Sequence, residues 1–307
     1  MPNTIITPDI IANGILAALA EKTLALPLIS RDFEGDLTAR AQGDTVNVAV
    51  PGTFEAKDFS YAAGVQVQDM TETKVPVKLD TIKDVTFKIT DSEMRQEVRS
   101  VQDQFLTPAG VALAEKVNQD ILTKLASAAT QEVGTGSGTA RPWAYNVPRV
   151  LIDAKAQLNG KRAPSTERFA VVGNDTAAEW LGTDLLSRVD QSGSTAALRE
   201  AQIGRLYGFD IYESIDIPAP KASPASGDPT TEVSLAFHRQ AVAGAFTTLE
   251  SAANSGSVIA SQNGLSVRVT LWYDGAHKTT FGSADILYGL NAIRPEWISL
   301  IKGADKA

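Results

Sequence analysis

The stretch from Thr90 to Ala129 sets the dimensions of whatever this chain folds into. Thr90 and Glu93 stand at capping-box spacing, where each side chain satisfies a free backbone donor of a first helical turn. Met94, Val98, Val101 and Phe105 follow at steps of four, three and four, one helical face. Thr107-Pro108 interrupts that face, because proline disfavours a helical residue before it yet suits the first position of a new helix. The second helix carries Val111, Leu113, Val117, Ile121, Leu122 and Leu125, and stops before the glycine-rich stretch Gly134 to Gly138. At about 1.5 Å per residue, Pro108 to Ala129 spans roughly 33 Å, the width of a small domain. A helix of that length, half apolar and half charged, predicts a strut on which other elements lie; one ordinary helix of a globular enzyme is the alternative.

The text before this strut has a different period. Val46, Val48 and Val50 alternate with small or polar residues and end at Pro51-Gly52; Val65 to Met70, Lys74 to Leu79 and Val85 to Ile89 alternate again. Residues 44–90 are therefore β-rich, with Phe54, Phe59 and Tyr61 in a polar setting and charges of both signs along the strands. A long two-stranded ribbon of this kind has little core of its own, and isolated hairpins are marginal in water. It belongs to a sandwich or projects onto a partner. Ahead of it, Ile10, Ile11, Ile15, Leu16, Leu19 and Leu24 give an N-terminal helix an apolar face, which docks on its own core or on a neighbouring subunit.

Beyond the strut, the sequence predicts a helix from Asn146-Val147-Pro148 to Leu158 with Gly160 as its stop, and a buried strand at Phe169 to Val172. A helix capped by Asn174 runs to Leu186, a helical turn covers Thr195 to Gln202, and a strand covers Gly208 to Tyr212. A loop follows from Ile217 to Pro229, then a strand from Val233 to Phe237 and a helical turn from His238 to Ala245. Leu265 to Tyr273, Thr279 to Leu290 and Trp297 to Ile301 read as strands, with turns at Asp274-Gly275 and Asn291. The mixture is α+β.

Signals for chemistry are absent where they would be expected. Gly134 to Gly138 lacks the Lys-Ser/Thr of a phosphate loop, and Val172-Gly173-Asn174-Asp175 lacks further glycines and reads as a plain cap. No Gly-x-Ser-x-Gly elbow occurs. His238 reads as a structural histidine and His277 as a solvent-facing one in a turn; Asp216, Asp228 and Asp285 do not have a metal-ligand spacing. The chain has 307 residues with no cysteine, so it has neither disulfides nor thiolate metal sites, and no cofactor is expected. A net charge of −8 opposes any general affinity for nucleic acid, and no apolar run is long enough for a membrane helix.

The C-terminal string Ile286-Leu287-Tyr288-Gly289-Leu290-Asn291-Ala292-Ile293-Arg294-Pro295-Glu296 resembles the ending of major capsid (coat) proteins of tailed double-stranded-DNA bacteriophages. More loosely, Leu113 to Asp120 is similar to that family's spine-helix text, Gly204 to Tyr212 to a glycine-bounded strand of its central domain, and Phe237 to Ala241 to the strand-to-turn that follows. The resemblance implies an N-terminal arm (1–43), an extended β-ribbon or E-loop (44–90), the spine helix and start of a peripheral domain (91–145), a mainly axial domain (146–245) and return strands of the peripheral domain (246–307). It implies a virion protein, assembled in the host cytoplasm, that forms hexamers and pentamers of an icosahedral shell around double-stranded DNA. Its partners would be itself, a scaffolding protein, a portal protein and, in some shells, a decoration protein, with non-specific DNA contact and no membrane. The loop at Ile217 to Pro229 is too short for the inserted domain of some relatives. No acidic, coiled-coil-like scaffolding extension is visible, so the scaffold is expected as a separate protein. On this reading Ile11, Ile15 and Leu19 in the arm and Phe54, Phe59 and Tyr61 on the ribbon are the expected intersubunit anchors. A nanocompartment shell of the same fold and a hydrolase without a recognisable motif remain as alternatives.

Overall fold

The computed structural model describes residues 15, 16, 19, 22–31, 45–50, 56–61, 64, 67–69, 72–90, 107–135, 143–183, 203–218, 229–250, 257–262 and 265–303. The expected anchors Ile11 and Phe54 lie outside them, as do the Met94–Phe105 helical face, the Gly136–Gly138 stretch, the Thr195–Gln202 turn and most of the Ile217–Pro229 loop. Thr90 ends a strand, paired with Thr279.

In chain order the strands are β1 (Thr45–Val50), β2 (Thr73–Lys78), β3 (Thr81–Thr90), β4 (Gln131–Val133), β5 (Arg168–Val172), β6 (Arg205–Leu206), β7 (Phe209–Glu213), β8 (Ser234–His238), β9 (Val242–Thr247), β10 (Ser257–Gln262), β11 (Leu265–Asp274), β12 (Thr279–Ala292) and β13 (Ile298–Ile301). The helices are α1 (Thr107–Ala128), α2 (Val150–Gly160) and α3 (Asn174–Leu181). Helix α1 is the expected strut, 22 residues long. Its buried positions Leu113, Ala114, Val117, Ile121, Leu122 and Leu125 recur at helical spacing and enter the main core.

Two sheets flank α1. One has the order β10-β11-β12-β3, with β9 also paired to β12; the other is β4-β13-β8-β5-β7-β6. Strand β12 joins most of the first. It pairs with β3 from Thr279 to Tyr288, with β11 at Thr279 to Asp285, and with β9 at Leu287 to Ala292. In the second sheet, β6 and β7 form a hairpin through Tyr207 (φ 51°) and Gly208 (φ 94°), the two positive φ angles that tight hairpin turns require.

Three sequence expectations change here. β3 does not belong to the ribbon; only β1 and β2 pair as a two-stranded unit, while β3 lies along β12 nearly two hundred residues later. The ribbon base is not coreless, because Val46, Val48 and Val77 pack on Ala243 and Ala245 of β9. The helical turn expected from His238 to Ala245 is a 3-10 turn at Arg239–Ala241 running into strand β9. The sheets also run across the expected domain limits, since β9 spans residue 246 and joins the β12 sheet, and β13 follows it yet joins the β8 sheet.

The arm folds onto its own chain. Ile15, Leu16 and Leu19 are buried in the main core. Asn118 of α1, also buried, accepts from the Ala25 N–H at 3.1 Å and donates to the Lys22 carbonyl at 3.2 Å. Ser30 continues the attachment, exchanging backbone hydrogen bonds with Val242 and Gly244.

The string at the C-terminus is the junction of these parts. The Tyr288 hydroxyl donates to Asp120 of α1 at 2.7 Å, and Asn291 Nδ2 donates to the Pro76 carbonyl of β2 at 2.7 Å. Gly289 lies beneath the ribbon's exit, where a Cβ would fall 2.1 Å from the Lys78 carbonyl oxygen. The neighbour there is backbone and cannot step aside. We therefore expect Gly289→Ala to cost at least the ~1–3 kcal/mol of an overpacked core, read as a lower chemical-denaturation midpoint. Asn118→Ala should lose a further ~1–3 kcal/mol by orphaning the buried Ala25 N–H.

Candidate assembly surfaces

Of the six expected anchors, the structure describes four and divides them. Ile15 and Leu19 are each 0% exposed and packed inside this chain, so the described part of the arm's apolar face is already occupied. Phe59 and Tyr61 are 61% and 98% exposed. A short turn holds them, closed by the Gly64 N–H donating to the Ser60 carbonyl at 2.8 Å. The two rings meet edge to face with centroids 5.2 Å apart, a favourable aromatic geometry that fixes both without burying either. Val67 nearby is 86% exposed and was not singled out from the sequence. Bulky apolar side chains left in solvent are characteristic of a surface awaiting a partner.

A second apolar surface lies on the five-stranded sheet. Leu265, Val267 and Val269 of β11 face the core, so Ser266, Arg268, Thr270 and Trp272 face outward. Trp272 stacks on Phe281 of β12 at 5.3 Å with planes 9° apart. Arg268 bonds Asp285 directly across the pair, at 3.0 Å from Nε and 2.8 Å from Nη2. Ile82 and Ile259 stand exposed on the same side. Period-two alternation in β11 carries this signal, which places Trp272 on the face opposite Leu265, Val267 and Val269.

Inside, one carboxylate ties α1 to the sheet. Asp120 receives Tyr288 at 2.7 Å and Lys83 of β3 at 2.9 Å, with Lys116 one turn back at 3.7 Å. Burial alone would raise the Asp120 pKa, but the hydrogen bonds from Lys83 and Tyr288 and the two lysine charges outweigh it and hold the carboxyl below its usual range. The same burial and the Asp120 charge push the Tyr288 hydroxyl far upward, so it remains a donor.

The positions read for chemistry are structurally used. The turn at Gly173 is not an empty anion cradle, because the Glu232 carboxylate accepts the Thr176 N–H there at 2.6 Å. His277 is exposed in the β11–β12 turn, its Nδ1 2.5 Å from Asp274. His238 is buried; its Nδ1 accepts the Gln240 N–H at 3.1 Å. Among the described residues no group of three or more His, Asp or Glu is placed to hold a metal ion, and no helix is long and apolar enough to cross a membrane.

A family model described as phage capsid protein matches residues 72–285. The chain belongs to that family. It is a structural, shell-forming capsid protein and a component of the virion. A solved structure of Mycobacterium phage Che8 is similar over 91% of this chain and 90% of its own, at 22% identity and a TM-score of 0.69. The capsid structure of the cyanophage P-SCSP1u is similar over 86% and 85%, at 14% identity and a TM-score of 0.63. A virus-like particle from Pyrococcus furiosus is similar over 95% and 97%, at 13% identity and a TM-score of 0.52. At these identities the likeness carries the fold, a coat-protein fold with arm, ribbon, spine helix and two sheets. No curated protein matches the chain.

Within the folded protein, the Asp120 contacts predict an acid limit. A carboxylate with a depressed folded pKa stabilises above its unfolded pKa of 3.8, and that contribution is lost as pH falls through the folded value. As pH falls below the usual carboxylate range, unfolding midpoints should therefore drop more steeply for the wild type than for Asp120→Asn.

Proposed function

We propose that this capsid protein assembles into hexamers and pentamers of an icosahedral shell around double-stranded DNA, with the ribbon tip as an intersubunit anchor. The observation that carries the second half is the Phe59–Tyr61 ring pair, left largely in solvent. Burying one such aromatic contributes ~1.5–3 kcal/mol, and a closed shell repeats that contact at every subunit. The charges around the tip, Lys57 and Asp58, are of both signs and suit a rim that sets register. In the same scheme Ile11 and Phe54 are further contact residues. Ile15 and Leu19, buried in their own chain, act by holding the arm in place.

The scheme divides the chain into arm (1–43), ribbon (44–90, with its last strand β3 joining the β12 sheet), spine and peripheral start (91–145), mainly axial (146–245) and return strands (246–307), with β9 spanning the last limit and β13 returning to the β8 sheet. A scaffolding protein, a portal protein and a decoration protein are the partners expected from the family, with assembly in the host cytoplasm. DNA is the cargo favoured over an enclosed enzyme, because the matching family model is that of phage capsid proteins. The net charge of −8 suits a wall that touches packaged DNA without gripping it.

Phe59→Glu should leave the chain folded, since the ring is largely exposed, yet raise the concentration needed for assembly at least about tenfold. Sedimentation and negative-stain microscopy, with scaffold co-expressed, read this out. Normal shells at wild-type concentrations would remove the tip from the interface.

A further inference from the structure

His238 ends β8 at a place where three elements meet. It is 1% exposed, and its Nε2 is buried without a hydrogen-bond partner. Its ring stands edge to face on Trp297, centroids 5.1 Å apart. Trp297 closes the 3-10 turn Pro295–Trp297 that leads directly into β13. That turn is clamped to the end of α1, since Thr130 Oγ1 donates to the Pro295 carbonyl at 3.2 Å and Gln131 Nε2 to the Glu296 carbonyl at 2.5 Å. β13 in turn lies between β8 and β4, and β4 follows α1 after two residues. The His238–Trp297 ring contact and the backbone of the Pro295–Trp297 turn therefore connect β8 to the segment that follows the spine helix, while the Trp297 indole N–H donates to the Lys161 carbonyl at 3.1 Å.

The surroundings suit a neutral imidazole better than a charged one. On β5 and its lead-in, Glu167 is engaged by Arg239 at 3.0 Å, and Arg168 spends its donors on Pro164, Ala163 and Asn159. On the other side, Arg294 lies over the Trp297 ring at 4.5 Å and Glu296 is 3.8 Å from Arg294. The charged groups on the elements that meet here are thus three arginines and two carboxylates, each carboxylate beside an arginine. Burial lowers the His238 pKa most, with Glu167 opposing and Arg168 adding to the effect. The sign follows: a histidine depressed in the folded state stabilises above its unfolded pKa of 6.5, and the contribution is lost as pH falls through the folded value.

We propose that the His238–Trp297 contact is an acid-sensitive joint, and that protonating His238 unseats Trp297 and loosens the hold of β13 and β4 on the end of α1. The joint acts within the subunit and so does not depend on how the ribbon tip is used.

Hydrogen exchange on the full chain at pH 7.5 and 5.5, corrected for the intrinsic pH dependence of exchange, tests it. Protection in residues 131–133 and 298–301 should drop by up to about tenfold, the limit set by one proton taken up on opening over this range. Strands β11 and β12 should not change, and His238→Phe, which keeps a ring but cannot charge, should remove the effect. His238→Gln serves as a second uncharged variant if the larger ring does not fit. An equal loss of protection in either uncharged variant that folds, or a loss spread evenly over both sheets, would overturn the proposal. So would unchanged protection of β4 and β13 in the wild type.

Discussion

Strand β12 is the constraint on which the rest depends. Its fourteen residues give hydrogen-bond partners to β3, β9 and β11, and its Tyr288 reaches across to Asp120 on the spine helix. A strand paired on both edges must have small or flat residues where other backbone crosses it. Gly282 lies under the Phe87 ring and Gly289 under the Lys78 carbonyl. The position of the ribbon, the attitude of α1 and the route of the C-terminus into β13 are thus set by one continuous segment. The recognisable Tyr-Gly-Leu-Asn-Ala string carries this junction: Tyr288 binds the helix, Gly289 admits the ribbon, and Asn291 ties down β2.

This arrangement separates what the chain does for itself from what it leaves open. Core burial is complete along α1 and both sheets, and the arm is stapled by Asn118 and Ser30. The large apolar groups left in solvent lie mainly at the ribbon tip and on the outer face and far end of the β12 sheet. A shell protein needs this division, because each subunit must fold before its neighbours arrive yet keep enough apolar surface to bind them.

Local pattern was legible in the sequence; choice of partner was not. The α1 face at Leu113, Val117 and Ile121 and the alternation of Val85 and Ile89 in β3 were readable from spacing alone. Spacing says that Ile15 and Leu19 must be buried, not against what, and they turned inward. Pairing of β3 with β12 is a contact between opposite ends of the chain, which no local period encodes. The stretch His238 to Ala245 reads as a helical turn, and Ala243, Gly244 and Ala245 of β9 do have weak strand propensity. Those residues are small because Val46, Val48, Val77 and Ile29 press against them, a tertiary reason that overrides propensity. For the candidate site, the aromatic pair Phe59 and Tyr61 was visible as apolar residues lacking a local core. Trp272 was passed over although strand alternation placed it outward.

The account stands or falls on where the ribbon tip goes once subunits associate. An electron cryomicroscopy map of assembled particles locates it directly. The rings of Phe59 and Tyr61 should be enclosed by a neighbouring subunit in every copy of the asymmetric unit. A closed shell in which both rings still face solvent would contradict it.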